Sequence, residues 1–289
     1  MVKQDYKHFA VVDKPDVVDD FIYKHPVVGI ASKYPIVEVA AIEHNSELAC
    51  SLGLTSDFTF SRKVLRATIS LPHSGNTDCY VVHFKSKRSI LEIDESNKML
   101  SSEQFIVESL KANIAGSWGS TIQRGSEATL LMIEMINRRK HTQNPMVLMG
   151  DFNNNLADGV LSHLLTDTLR YAPVFDVKMY LKKYCLYDSW DLYEKLVASM
   201  DNNSQNMNSE HDVKANAPSL RKPTHYFGTS SSVLDYILLS CEFDPSCDDS
   251  FFEVSAHQTY DRHLINPDFE RDDLSTDHGV VLITLTLRS

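Results

Sequence analysis

The chain has 289 residues, 43% of them hydrophobic and 23% charged. These are ordinary globular proportions, which exclude a wholly disordered chain, a collagen and a disulfide-dense mini-protein. The length suits one large domain, residues 1–289, better than two. No run approaches the ~18 consecutive apolar residues of a transmembrane helix. Lys plus Arg number 28 against 39 Asp plus Glu, a net charge of −11. That argues against nonspecific duplex binding through phosphate contacts alone, unless a local basic patch or a metal ion reverses the field.

The five cysteines, Cys50, Cys79, Cys185, Cys241 and Cys247, are scattered and form no CxxC pair. They read as reduced thiols rather than zinc ligands. Met1 to Asp20 is charged and lacks the apolar stretch of a signal peptide, so the default expectation is the cytoplasm.

In chain order, Val64 to Leu71 alternates apolar and polar residues, and Cys79 to Phe84 follows a turn at Pro72 to Asn76. The pattern predicts a hairpin. Ser102 to Ile114 and Ser120 to Lys140 read as helices, the second ending in Arg and Lys where the helix dipole favours cations. Pro145 to Gly150 is short and almost wholly apolar, as a buried strand is. Asp158 to Leu165 and Asp191 to Met200 are shorter helices. Residues 201–218 are rich in Asn, Ser and Asp and read as a flexible surface insertion. Val233 to Ser240 and Gly279 to Leu287 are the last strands. Alternating strands and helices make an α/β domain.

Four segments carry chemistry. Met149-Gly150-Asp151-Phe152-Asn153 ends a buried strand, and a permissive glycine there lets a carboxylate and a carboxamide point into one cleft. Hard oxygen ligands of this kind suit Mg²⁺ or Mn²⁺, although Asp and Asn also fill ordinary turns. Asp277-His278 places a ligand and a titratable imidazole before the last strand. Asp235 interrupts an apolar strand, and a buried Asp needs a partner such as an imidazole that it would orient. His83 ends another apolar strand and is followed by Lys85, Lys87 and Arg88, the best local anion-attracting stretch.

Together and in this order, these segments resemble the endonuclease/exonuclease/phosphatase superfamily, the deoxyribonuclease I-like fold. Gly150-Asp151-Phe152-Asn153 resembles its Gly-Asp-Phe-Asn signature, and Thr276-Asp277-His278 its Ser-Asp-His with Thr in place of Ser. Asp235-Tyr236 is similar to its Asp-Tyr strand motif, and His83 to Lys87 to its His-Leu-Lys-Ser-Lys segment. Gly29 to Ile36 resembles a Gly-x-x-Ser-Arg-Tyr-Pro-Ile turn, and Arg124 a recurrent helical Arg. The likeness runs from about Val27 to Leu287.

The resemblance implies a four-layer α/β sandwich, two mainly antiparallel sheets packed face to face and flanked by helices. It implies hydrolysis of phosphodiesters by an activated water with Mg²⁺ or Mn²⁺. Asp151 would position and deprotonate that water, and Asn153 would hold phosphate or metal. Asp277 would ligate the metal, and His278, polarised by Asp235, would contact the phosphate. His83 would donate a hydrogen bond or act as general acid, and Lys85, Arg124 and His225 would bind substrate.

The family pattern also opens with a strand bearing Asn and a strand ending in Gln-Glu, the Glu being a main metal ligand. Neither reads between Met1 and Ser32, where Asp5, Asp13, Asp16, Asp19 and Asp20 sit in no matching context. An N-terminally incomplete domain is therefore expected, and a sheet without inner strands would expose apolar edges. The leading expectation is a nuclease acting on nucleic acid or another phosphodiester. The alternatives are an impaired, binding-only homologue and a phosphatase or phosphodiesterase for inositol phosphates or phospholipid headgroups.

Overall fold

A computed structural model describes residues 5–17, 22–93, 101–170, 177–205, 220–268, 272 and 275–288. The chain opens with β1 (His8–Val11), β2 (Gly29–Ser32), β3 (Ile36–Ile42) and a short helix α1 (Ser46–Ser51). The expected hairpin follows as β4 (Val64–Leu71) and β5 (Gly75–His83), then α2 (Ser102–His141) and β6 (Met146–Asp151). Next come α3 (Val177–Lys182), β7 (Tyr187–Asp188) and α4 (Ser189–Gln205). The remaining elements are β8 (His225–Phe227), β9 (Ser230–Ser232), β10 (Asp235–Leu239), β11 (Phe252–Tyr260), α5 (Arg262–Ile265) and β12 (Val280–Leu287).

Three sequence expectations change. The two helices expected over 102–114 and 120–140 are one 40-residue helix, α2. Its glycines serve close approach rather than a break: a Cβ on Gly116 would lie 1.9 Å from Ser89 Oγ and 2.6 Å from the Leu91 nitrogen. The helix starts on a capping box in which Ser101 and Gln104 satisfy each other's backbone N–H groups, and Arg138 to His141 sit at its C-terminal end. The helix expected over 158–165 shrinks to a 3-10 turn, Ser162–Leu165. The first residues of the insertion expected over 201–218 belong to helix α4 as far as Gln205, and the rest of it lies outside the described residues.

The main sheet has the order β3-β4-β5-β6-β10-β7. Only β5 and β6 run parallel, joined by the long crossover α2. Side chains alternate across the sheet with the two-residue period of a strand. Tyr80, Val82, Met146, Leu148, Tyr236 and Leu238 face α2, packing with Ala128, Leu131, Met132 and Met135. Leu65, Ala67, Ile69, Cys79, Val81, Val147 and Met149 face the other way.

That second face is covered by two antiparallel ribbons. The β1–β2 ribbon brings Ala10, Val28 and Ile30 onto β4 and β5. The β11–β12 ribbon brings Val254, Ile283 and Leu285 onto Leu239 and Ile237, with Leu192 of α4 and Phe243 completing the cluster. Mixed α/β layering is as expected, but among the described residues no strand joins the two ribbons into one sheet. Val280 and Leu282 of β12 and Val37 and Val39 of β3 are exposed. Among the described residues no helix is long and apolar enough to cross a membrane.

Candidate active site

Strand register gathers the site. In the parallel pair β5–β6, His83 lies opposite Asp151. In the antiparallel pair β6–β10, Asp235 lies opposite the same Asp151. One row across three adjacent strands therefore carries an imidazole and two carboxylates at one edge of the sheet. This is where α/β sheets present their functional groups, beyond the carboxyl ends of parallel strands.

The Asp151 turn has a defined local cause. Gly150 adopts φ +138°, and a Cβ there would lie 2.0 Å from the Val82 carbonyl oxygen, so only glycine lets β6 stay paired with β5. Asn153 sits in the left-handed region at φ 53°, a conformation Asn tolerates better than most residues. Its backbone N–H donates to Asp151 Oδ1 at 2.7 Å. Its carboxamide nitrogen donates to Asp151 Oδ2 and to the Phe84 carbonyl, both at 2.9 Å. Phe152 points the opposite way, edge-on to Phe84 at 5.3 Å and to Tyr236 at 5.4 Å. These three aromatics form an apolar floor beneath the polar row.

His278 closes the cluster. Its Nδ1 is 2.8 Å from Asp235 Oδ2, and its Nε2 is 4.0 Å from Asp151 Oδ2. It is held from behind by an isolated bridge to His225, whose ring centroid lies 5.1 Å away. The segment after it is fixed by the Gly279 N–H donating to the Thr224 carbonyl at 2.6 Å. The Thr224 hydroxyl in turn accepts from the backbone N–H groups of Leu234 and Asp235.

The environments push these groups apart. The hydrogen bond to Asp235 raises the His278 imidazole to about 9, so it is a cation at neutral pH. Burial lowers His83 to about 4, helped by the Arg62 guanidinium, so it stays neutral. Burial and then the neighbouring Asp235 charge raise Asp151 to about 6. A cationic imidazole, a neutral imidazole and a carboxylate poised near neutrality thus share one edge, the pattern of groups tuned for proton transfer.

The substrate-binding expectations divide. His225 joins the cluster through His278, and its ligand atom groups with those of Asp277 and His278 within 4.8 Å. Lys85 is half-buried beside the row, its ammonium 3.3 Å from the Arg88 carbonyl. Arg124 is only 3% exposed and donates to the Lys85 carbonyl at 3.0 Å. That bond holds the 85–88 loop from behind.

Three contributors escaped the sequence reading. Glu127, 1% exposed, accepts from the backbone N–H groups of Ser61 and Lys85, and so ties two loops to α2. Arg62, on the first of these loops, lowers both His83 and Lys85 and carries a buried Nε without a partner. Thr224 organises the start of β10, as described above. None belongs to a periodic pattern, and only the loops' meeting in space reveals them.

The donor chemistry fits a divalent cation. Asp151, Asp235 and Asp277 outnumber the one imidazolium, and the Asp235 charge adds to burial in raising Asp151. Two groups of side chains converge within 4.8 Å, Asp151–Asp235–His278 and His225–Asp277–His278; His278, as an imidazolium, offers no lone pair, which leaves the three carboxylates and His225 as donors. Asp277 is exposed and Asn153 keeps its carboxamide oxygen, while imidazole nitrogen suits Mn²⁺ better than Mg²⁺. Of the described N-terminal carboxylates Asp5, Asp13 and Asp16, the last two pair with Lys63 at 3.1 Å and Lys24 at 3.6 Å.

No protein-family model matches the chain, and no curated protein matches it. Among solved structures the chain is similar to the human Nocturnin catalytic domain with bound sulfate anion. That similarity has 14% identity and a TM-score of 0.48, and covers 97% of this chain and 72% of that one. It is similar to an endonuclease/exonuclease/phosphatase from Beutenbergia cavernae at 15% identity and a TM-score of 0.39, covering 99% of this chain and 55% of that one. A third is a mannosyl-6-phosphatase from Bacteroides thetaiotaomicron, at 14% identity and a TM-score of 0.41, covering 96% of this chain and 77% of that one.

Proposed function

We propose that this chain is a phosphoesterase that hydrolyses a phosphodiester with an activated water, assisted by a divalent cation, and that nucleic acid is its first candidate substrate. The observation that carries the reading is the row His83–Asp151–Asp235 closed by His278, with separations of 2.8 to 4.0 Å among the groups. The motif resemblance supports it independently of the geometry.

Each residue has a task that its environment suits. Asp151, fixed by Asn153, accepts the proton of the attacking water, and a base near neutral pH is the efficient choice. His278, kept cationic by Asp235, donates its Nε2–H to a phosphoryl oxygen as charge builds there. His83 is neutral, so it serves as a hydrogen-bond donor to the phosphate rather than as a cationic acid. Lys85 and Arg62 add positive charge beside the row in a protein of net charge −11. Mg²⁺ or Mn²⁺ would be held by Asp277, with His225 and the free oxygen positions of Asp151 and Asn153, and supplies Lewis-acid relief of phosphoryl charge.

A binding-only reading has one observation in its favour: among the described residues the converging ligand groups contain only Asp and His, and no Glu. A substrate panel with Mn²⁺ separates the two. Turnover of plasmid, single-stranded DNA or RNA supports the nuclease reading, and turnover confined to inositol phosphates moves the substrate class. Retention of a phosphodiester without turnover by any of them supports binding alone.

A further inference from the structure

Helix α2 is longer than the sheet it crosses. Its 40 residues rise about 60 Å. The nine residues of β5 extend about 30 Å. The C-terminal half of α2 packs on the core through Leu131, Met132 and Met135, but the first buried residue of the helix is Gly116. The N-terminal half therefore overhangs the sheet, with the 89–91 loop against one side of it at Gly116 and Gly119.

The other side carries an apolar ridge. Ile106, Val107, Leu110, Ile114, Trp118 and Ile122 are 44 to 66% exposed. At about 100° per residue, the last five lie within about 120° of arc and make one continuous face. Contiguous apolar surface of this kind marks an interaction site. Farther along α2 the same face is covered by the chain itself. A Cβ on Gly125 would lie 3.3 Å from Val160, and His163 Nε2 is 3.1 Å from the Thr129 hydroxyl. Where this cover ends, Leu52, Trp118, Ile122 and Val160 line an open hollow of about 330 Å³.

Charge and symmetry choose the occupant. Between Lys111 and Arg124 the helix has no charged residue, and Lys111 is itself paired with Glu108 at 2.6 Å. A strongly charged protein partner would find nothing to pair with on this face. A membrane surface would find none of the cationic rim that interfacial helices carry. A neutral face suits a second copy, because chains of net charge −11 otherwise repel one another. The spacing is also self-complementary: Ile106, Leu110, Ile114, Trp118 and Ile122 recur every four residues and are symmetric about Ile114. Two antiparallel copies with a two-fold axis beside Ile114 set Ile114 on its own copy, Leu110 on Trp118 and Ile106 on Ile122. Each N-terminal ridge then meets the hollow of the other copy, as an isologous interface requires. The six side chains expose on the order of 700 Å² per copy, near the ~800 Å² that each partner of a stable pair buries.

We infer that this face of α2 is the interface of a two-fold dimer of the chain, centred on Ile114. The inference does not depend on the phosphoesterase reading, since the ridge lies outside the catalytic row.

The test is sedimentation velocity of the full chain from low to high micromolar concentration. A dimer is expected to form as concentration rises. Ile114→Glu and Ile114→Lys each set like charges against each other at the axis and should weaken the dimer about tenfold or more. An equimolar mixture of the two restores it, because Glu then faces Lys. That rescue is special to a surface that meets its own copy at residue 114. Val37→Glu, which charges another exposed apolar residue on β3, leaves the dimer unchanged. Ile114 is 63% exposed, so both of its variants should unfold at the parent's temperature in dilute solution. The proposal is overturned if the parent stays monomeric throughout, if either folded variant dimerises like the parent, or if the mixture associates no better than its components. A monomeric parent that floats with phosphatidylcholine vesicles assigns the ridge to lipid and overturns it as well.

Discussion

Asp235 and His278 are joined by a 2.8 Å hydrogen bond that spans 43 residues of sequence. Asp235 opens β10 and His278 precedes β12, so the bond also links the main sheet to the second layer. It orients the imidazole so that Nε2 faces Asp151, and it keeps that imidazole charged.

Replacing Asp235 by Asn removes the charge that holds His278 at about 9. In EDTA-treated protein, the His278 ring resonance followed by NMR should titrate well below that value. A raised folded value stabilises the fold fully below the unfolded value of ~6.5 and is lost as pH rises through 9, so the parent, and not the variant, loses stability over that window. Turnover should fall on the order of 10²-fold or more, as when an orienting carboxylate is removed from a catalytic imidazole.

Gly150→Ala tests whether β6 depends on backbone contact. The added methyl would meet the Val82 carbonyl oxygen at 2.0 Å, at a φ of 138° that alanine resists. Denaturant unfolding should show a loss of about 3 kcal/mol or more. A loss under about 0.5 kcal/mol, the size of an ordinary surface substitution, would contradict the β5–β6 register described here.

Glu127→Ala should destabilise the fold by about 3 kcal/mol, because two backbone N–H groups, of Ser61 and Lys85, lose their acceptor. Glu127→Gln keeps one acceptor oxygen and should cost less. Thermal denaturation of the three proteins side by side checks the order parent, Gln, Ala.

His257 predicts an acid-side loss of stability. Its folded value is lowered to about 4. The unfolded chain therefore binds more protons between ~6.5 and 4, and stability falls as pH falls through that window. The share due to His257 is at most about 3 kcal/mol, and His257→Phe should flatten the stability profile over that range. An identical slope in the variant assigns the acid sensitivity to other groups.

Much of the site was legible because chemistry clusters at strand ends. Asp151 and Asn153 flank an apolar run, and Asp235 interrupts another, so each announces itself against its neighbours. Their alignment with His83 was not legible, since register arises from pairing across the sheet. The partner of Arg124 was not legible because a basic residue on a helix gives no sign of which way it faces, and here it bonds a loop carbonyl. The gap left between the helices expected over 102–114 and 120–140 holds Gly116 and Gly119, which admit Ser89, Ile90 and Leu91 against a continuous helix. Glu127 acts across 66 and 42 residues on two irregular loops, a relationship with no period to detect. β4, β5, β6 and β10 of the main sheet were legible as alternating or apolar runs, whereas β3, β7 and the division of the second layer into two ribbons became visible only in three dimensions.

The central claim is that the row closed by His278 hydrolyses phosphodiesters. The most direct measurement is hydrolysis of bis-p-nitrophenyl phosphate by the parent chain and by Asp151→Asn, each in Mn²⁺ or Mg²⁺ and in EDTA. The account predicts turnover by the parent that needs the cation and drops at least 10²-fold, on the order of one lost catalytic group, in a variant that unfolds at the same temperature. Cation-dependent turnover that survives unchanged in Asp151→Asn, or none at all from a folded and monodisperse parent, would contradict it.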